Sequence, residues 1–410
     1  VLLSQREPKH VHGRLRHGLT VELARLGLDW SALRVFAMRL CHPVPVRVAT
    51  FNILHGVPLR DVPAEDRTGS SAPKLRRRTR SGHAEQSEAP GSPPLDPAFD
   101  GDQLGDPVES LPDDIDPANV RVGGADPTRR VQWSPTVAEP TELLRSIAEL
   151  QQEGPLDVVA LQEVDLRQPR TGLIDQASLV AEAIGATHWR FVPAILGIPG
   201  IPAEGADWTP ANASHDDPPL PTTQPGTGEG ASPPASDGPR YGVALISRYP
   251  VREWRVRRFP PAPMSMPLLA PSTGRRPRPV RVADEPRAAV AAVVQAPNAD
   301  LTIATAHLSF VPGYNTRQLL ELRAFLAGMP RPMVLMGDFN TPGGVPNLVT
   351  GWDQVARVPT YPVLRPRVQF DHILADGWTD DALAQARDSA RAMALPVSDH
   401  CALVAEFPDP

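Results

Sequence analysis

Apolar positions along this chain fall into short runs separated by long polar stretches. Val46–Phe51 (VRVATF) is alternating and β-branched, the pattern of a strand. Asp157–Glu163, Gly242–Ser247, Ala288–Gln295, Leu301–Ala306, Met333–Met336, Phe370–Leu374 and Cys401–Phe407 are compact apolar runs bounded by turn residues, and read as buried strands. Helical spacing is found in three places. Thr141–Gln152 carries Leu143, Leu144, Ile147, Ala148 and Leu150 on one face and stops at Gly154-Pro155. The other two are Asp175–Ile184 and Asn315–Leu326.

Between these elements the composition shifts twice. About 58–135 and about 202–239 are rich in Pro, Gly, Ser and Asp, lack periodicity, and read as disordered insertions. They account for much of the excess of proline, 50 in 410 residues against a usual share of about 5%. Residues 1–45 are expected to lie outside the fold. Met38 stands just ahead of the first strand, so residues 1–37 are expected to be a dispensable upstream extension. What remains, roughly 250 residues, is the upper range of one domain, 46–410, interrupted by the two insertions.

Net charge is −6, which argues against indiscriminate coating of nucleic acid. Two cysteines, Cys41 and Cys401, make neither a disulfide framework nor a metal spacing. No apolar run approaches the ~20 residues of a membrane span. A soluble, cytoplasmic protein is expected.

Candidate chemistry sits where the apolar runs end. Five strand ends carry Asn52, Glu163, His307, Asp338 with Asn340, and Asp371, and Ser398-Asp399-His400 precedes the last strand. Polar residues in such places line a rim, and period-2 geometry puts Asp338 and Asn340 on one side. Several carboxylates on one rim repel unless a cation or proton neutralises them. All-oxygen ligands favour Mg²⁺, with Mn²⁺ or Ca²⁺ as alternatives.

The segments TFNILHG, LQEVD, TAHLS, MGDFNTP, QFDHIL and PVSDH, in this order, resemble the endonuclease/exonuclease/phosphatase superfamily with its deoxyribonuclease-I-like fold. The resemblance spans Val46 to Phe407 apart from the insertions. It implies an α/β (α+β) four-layer sandwich, two mixed sheets packed face to face with helices outside. It also implies roles. Glu163 and Asp399 are metal carboxylates, and Asn52 orients metal or phosphate. His307, Asn340 and Arg287 contact phosphate. Asp338 with Asn340 positions the attacking water, and His400 is the catalytic imidazole, oriented by Asp371. Several members carry an acidic residue two positions after the first-strand Asn; here it is Leu54, which puts a second metal in doubt.

The expected activity is hydrolysis of a phosphoester, most readily a phosphodiester. A nuclease acting on DNA or RNA, a phospholipid or inositol-phosphate phosphoesterase, and a catalytically silent scaffold stand as alternatives. Oligomeric state is left open. Asp165, Arg170 and Gln176 read either as substrate contacts or as loop and capping hydrogen bonds, and Arg317 and Gln318 as structural. Arg287 reads equally as a sheet-edge ion pair. The basic, apolar stretch Phe259–Pro271 with its flanking arginines reads as a solvated hairpin extension, with a docking surface for a phosphate group or membrane as the alternative.

Overall fold

The computed structural model describes residues 45–56, 59–61, 120–121, 131–133, 140–200, 206–211, 220–221, 238–270 and 278–408. The N-terminal extension and most of both expected insertions lie outside the described residues. Ten strands carry the fold: β1 (Val46–Asn52), β2 (Val158–Leu166), β3 (His188–Ile198), β4 (Arg240–Ser247), β5 (Val251–Phe259), β6 (Arg287–Gln295), β7 (Asp300–His307), β8 (Met333–Asp338), β9 (Asp371–Asp376) and β10 (Ala402–Phe407). Among the described residues five α-helices accompany them: α1 (Pro140–Leu150), α2 (Gln176–Ile184), α3 (Tyr314–Leu326), α4 (Val345–Thr350) and α5 (Asp380–Ser389).

The first sheet runs Val120–Arg121, Arg391–Met393, β10, β1, β2, β4, β3, Asp207–Pro210. The second runs Asp353–Gln354, β9, β8, β7, β6, β5, Leu220–Pro221. Both are mixed, because β1 pairs parallel with β2 and β7 with β8 while their other neighbours are antiparallel.

Successive residues of a strand face opposite sides, and here both sides are covered. Val46 and Val48 of β1 join Val158, Val243, Val290, Ile303, Val334 and Ile373 in the layer between the sheets. Ala49 and Phe51 face outward under α1 and α2, with Leu143, Ile147, Val180 and Ile184. Ala291, Ala304 and Leu335 face the other way, under Leu319, Leu322 and Leu326 of α3. The result is the expected four-layer sandwich. Strands buried on both faces need no polar alternation, which is why they read as plain apolar runs.

Two details of the core bear on the site. Gln162, fully buried, donates from Nε2 to Thr50 Oγ1 (3.1 Å) and to Thr305 Oγ1 (2.9 Å), tying the two sheets together by a satisfied polar bridge. Gly337 has φ 144°, and a Cβ there would lie 2.1 Å from the Ala306 carbonyl oxygen. Only glycine lets β8 approach β7 closely enough for the parallel ladder that ends in Asp338.

β3, β5, α4 and α5 were not anticipated from the sequence. Ser265–Ala270 pairs antiparallel with Arg278–Ala283, so the stretch read as a hairpin extension is one. No helix among the described residues is long and apolar enough to cross a membrane.

Candidate active site

Strand register assembles the site. In the second sheet His307 is the ladder partner of Asp338, and Asp338 of Asp371. Ala288, next to Arg287, is the partner of His307. Four chemical groups from four strands therefore stand in one row at one end of the sheet. In the first sheet Asn52 is the partner of Gln162, which brings Asn52 beside Glu163. Asp399 and His400 arrive on the segment leading into β10. The two sheets meet at Asn52, whose Nδ2 donates both to Glu163 Oε1 (3.1 Å) and to Asp338 Oδ2 (2.9 Å).

Two expectations about local geometry need correction. Glu163 does not end its strand: β2 continues to Leu166. The register shifts between Leu161 and Val164, and Glu163 has φ 57°. A bulge, not a strand end, turns its carboxylate to the rim. Likewise Asp338 and Asn340 do not share a side through period-2 alternation, because β8 stops at Asp338 and Asn340 is left-handed, φ 49°. A turn brings them together: the Asn340 N–H donates to Asp338 Oδ1 (2.8 Å). The Asn340 side chain donates to the Leu308 carbonyl (3.0 Å) and contacts His307 Nε2 (3.3 Å).

His400 Nδ1 lies 2.7 Å from Asp371 Oδ2, and its Nε2 lies 3.9 Å from Asp338 Oδ2 and 4.0 Å from Asp399 Oδ1. Burial alone would lower the imidazole; Asp371, then Asp338 and Asp399, outweigh it and raise His400 to about 10. His400 is an imidazolium at neutral pH. Burial pushes the Asp338 carboxyl up, against the pull of His400 and with a further push from Asp371. Asp399 is raised to about 6, again chiefly by burial. His307 is driven the other way, well below its ordinary value, by burial and by the charges of Arg287 and His400. Its 3.7 Å approach to Asp338 is therefore no ion pair.

Arg287 stands beside His307 and also forms an ion pair with Asp284, so both readings of it keep a structural basis. It is buried, and its Nη1 lies 3.2 Å from both ring nitrogens of His307, a contact with the ring and not a hydrogen bond to one lone pair. Asp284 stands 3.7 Å from its Nη2, and its Nε has no hydrogen-bond partner.

All nine residues named from the sequence are thus found around one end of the sandwich. The sequence profile described as the Endonuclease/Exonuclease/phosphatase family matches residues 118–400. The chain belongs to this family. Among solved structures it is similar to a family protein from Bacteroides thetaiotaomicron (11% identity, covering 89% of this chain and 98% of that one, TM-score 0.37). It is also similar to the human Nocturnin catalytic domain with bound sulfate (15%, 66% and 86%, 0.36) and to a beta toxin from Staphylococcus aureus (10%, 65% and 90%, 0.36). At these identities and scores the likenesses carry no argument about activity. No curated protein of similar sequence was found.

The family's divalent metal fits the donors present. Asp338, Asp371 and His400 bring one donor atom each within 4.8 Å of one another, a candidate metal site. Asp371 Oδ1 is buried with no hydrogen-bond partner. Carboxylates of raised affinity for protons are carboxylates short of positive charge, which a hard cation supplies. His400 Nδ1 is already held by Asp371, so its Nε2 and the carboxylate oxygens are the atoms left to meet a cation.

The remaining residues divide as follows. Gln176 accepts from the Asp165 N–H (2.8 Å), and Arg170 forks onto Asp165 (2.8 and 2.7 Å) over the Tyr241 ring, so these three brace the end of β2. Gln318 accepts from the Ser309 N–H, and Arg317 pairs with Glu321 on α3; both are structural, as expected. Not anticipated were His372, which holds the Thr341 carbonyl from Nε2 (2.8 Å) and stacks on Phe339 at 5.5 Å, and Tyr361, whose ring lies 5.0 Å from that of His400.

Proposed function

We propose that this chain is a divalent-metal-dependent phosphodiesterase in which water attacks phosphorus in line. The observation that carries the reading is the pairing, within one sealed cluster, of an imidazolium held by a carboxylate (His400–Asp371) with a second carboxylate whose proton affinity is raised (Asp338). A raised carboxylate is a competent base near neutral pH, and a fixed imidazolium is a competent source of positive charge.

In this reading Asp338, fixed by Asn52 and the Asn340 N–H, takes the proton of the attacking water. His400 faces the phosphoryl oxygens and stabilises the charge that accumulates on them. Asn340, neutral His307 and Arg287 hold the phosphate against that pair. Glu163, Asp399 and Asn52 would hold the cation, expected to be Mg²⁺ with Mn²⁺ as an alternative; this set differs from the Asp338–Asp371–His400 cluster, whose members this reading uses as base, orienting carboxylate and imidazolium. When bound, it supplies charge neutralisation at the phosphoryl and leaving oxygens. The P–O bond to the leaving group breaks as the bond to water oxygen forms, giving a phosphate monoester and an alkoxide that takes its proton from solvent, while Asp338 returns the water proton to solvent.

The test is hydrolysis of bis(p-nitrophenyl) phosphate in ¹⁸O-labelled water, with Mg²⁺ or Mn²⁺ against excess chelator. The expected result is metal-dependent turnover with the label in the phosphate monoester. Turnover that persists in chelator, or label in the p-nitrophenol, contradicts the proposal.

A further inference from the structure

The loop 361–368 joins no strand end that the site reading used, yet it is stitched to the His400 segment. The Val363 N–H donates to the Asp399 carbonyl (2.7 Å), and the Cys401 N–H to the Thr360 carbonyl (2.8 Å). Tyr361 and Val368 exchange backbone hydrogen bonds of 2.9 and 3.0 Å, closing the loop on itself. Tyr361 is thereby fixed with its ring 5.0 Å from the His400 ring, tilted by 52°, and 5.6 Å from Phe370.

This residue is half-buried, so part of it reaches solvent. Among the described residues its hydroxyl has no hydrogen-bond partner. A tyrosine whose ring is packed keeps its hydroxyl for a partner or for solvent. Here the hydroxyl is unpartnered on a ring packed against that of His400. The chemistry that fits such a donor is an anionic oxygen brought in from outside.

We propose that Tyr361 is a further catalytic residue, its phenol O–H donating to a phosphoryl oxygen of the substrate beside His400. The inference rests on the phosphoesterase reading above and adds a contact to it. The proton stays on the phenol throughout; no bond to Tyr361 forms or breaks. A purely structural Tyr361 would act only through its ring, as a cover for His400.

Tyr361→Phe keeps the ring and removes the hydroxyl, whereas Tyr361→Ala removes both. With Mg²⁺ present, calorimetry of inorganic phosphate binding is compared for the full chain and the two variants, alongside kcat and KM on bis(p-nitrophenyl) phosphate. Loss of one hydrogen bond to a charged oxygen predicts phosphate binding weaker by about 10- to 100-fold in Tyr361→Phe, with an unchanged thermal midpoint. A Tyr361→Phe variant that binds phosphate as the wild type does, or a wild type that binds none, overturns the proposal. Wild type that binds phosphate but does not turn over the diester counts against the phosphodiesterase reading instead, and the phosphate comparison still decides Tyr361.

Discussion

Asp371 Oδ2 and His400 Nδ1 lie 2.7 Å apart, on segments 29 residues distant in sequence and both sealed from solvent. The contact is supported from behind: the Asp371 N–H is held by Thr360 Oγ1 at 3.2 Å and the His400 N–H by Ser398 Oγ at 3.1 Å. Asp371 thus sets the position of the imidazole and is the largest of the three carboxylates that favour its protonation. Asp371→Asn keeps the shape and removes the charge. Turnover should fall by about 10²–10⁴-fold, the range of acid–base assistance. The folded value of His400 lies above 6.5, so the pair's contribution to stability is complete below pH 6.5 and lost as pH climbs through about 10. Denaturant titrations across that window should show the wild type losing stability more steeply than Asp371→Asn.

Gly337→Ala tests the backbone under the site. Its Cβ meets a carbonyl oxygen at 2.1 Å, not a flexible side chain, and the φ of 144° is one that L-residues rarely adopt. The expected loss is about 3 kcal/mol or more, or failure to fold. A midpoint in urea within error of the wild type would contradict the packing described here.

His372 supplies a second pH signature, of opposite sign. Burial lowers it to about 4, so the unfolded chain binds the proton first. Its contribution is present above pH 6.5 and lost as pH falls toward 4, by about 3 kcal/mol at 1.36 kcal/mol per unit. His372→Phe keeps an aromatic ring against Phe339 and removes the titration. The stability difference between wild type and variant should shrink by that order between pH 7 and 4.

Cation binding should itself depend on pH. Asp399, raised to about 6, is expected to hold a proton in competition with the metal. As pH rises through 6 the metal-free protein gives up stability, and Mg²⁺ or Mn²⁺ restores it. The thermal shift on adding either ion should be small at pH 5 and larger at pH 8, and should be reduced at both in Glu163→Gln. A shift independent of pH would place the ion elsewhere.

The strands that carry the site were legible because they are buried on both faces and so stand out as apolar runs. β5 was not, since Arg252, Arg255, Arg257 and Arg258 interrupt it, and only the paired structure shows Val251, Trp254, Val256 and Phe259 turned inward. In β3 Pro193 and Gly197 mask the pattern, and α5 is carried by Ala382, Leu383 and Ala386 with a Thr379 cap, a weak apolar face. Eight of the nine candidate residues were legible from the order of motifs; Arg287 lies outside them. The bulge at Glu163 and the turn at Asn340 were not, because register and backbone handedness are set by pairing with strands far away in sequence. Gln162, Tyr361 and His372 were passed over for the same reason: their partners Thr305, His400 and Thr341 come from other strands and loops.

The central claim is that His400 does chemistry and is not merely a core histidine. Initial rates on bis(p-nitrophenyl) phosphate, at saturating Mg²⁺ or Mn²⁺, test it in His400→Ala against wild type, with equal thermal midpoints established first. The account predicts metal-dependent turnover in the wild type and a loss of about 10²-fold or more in the variant. A folded His400→Ala protein that retains full turnover would contradict it.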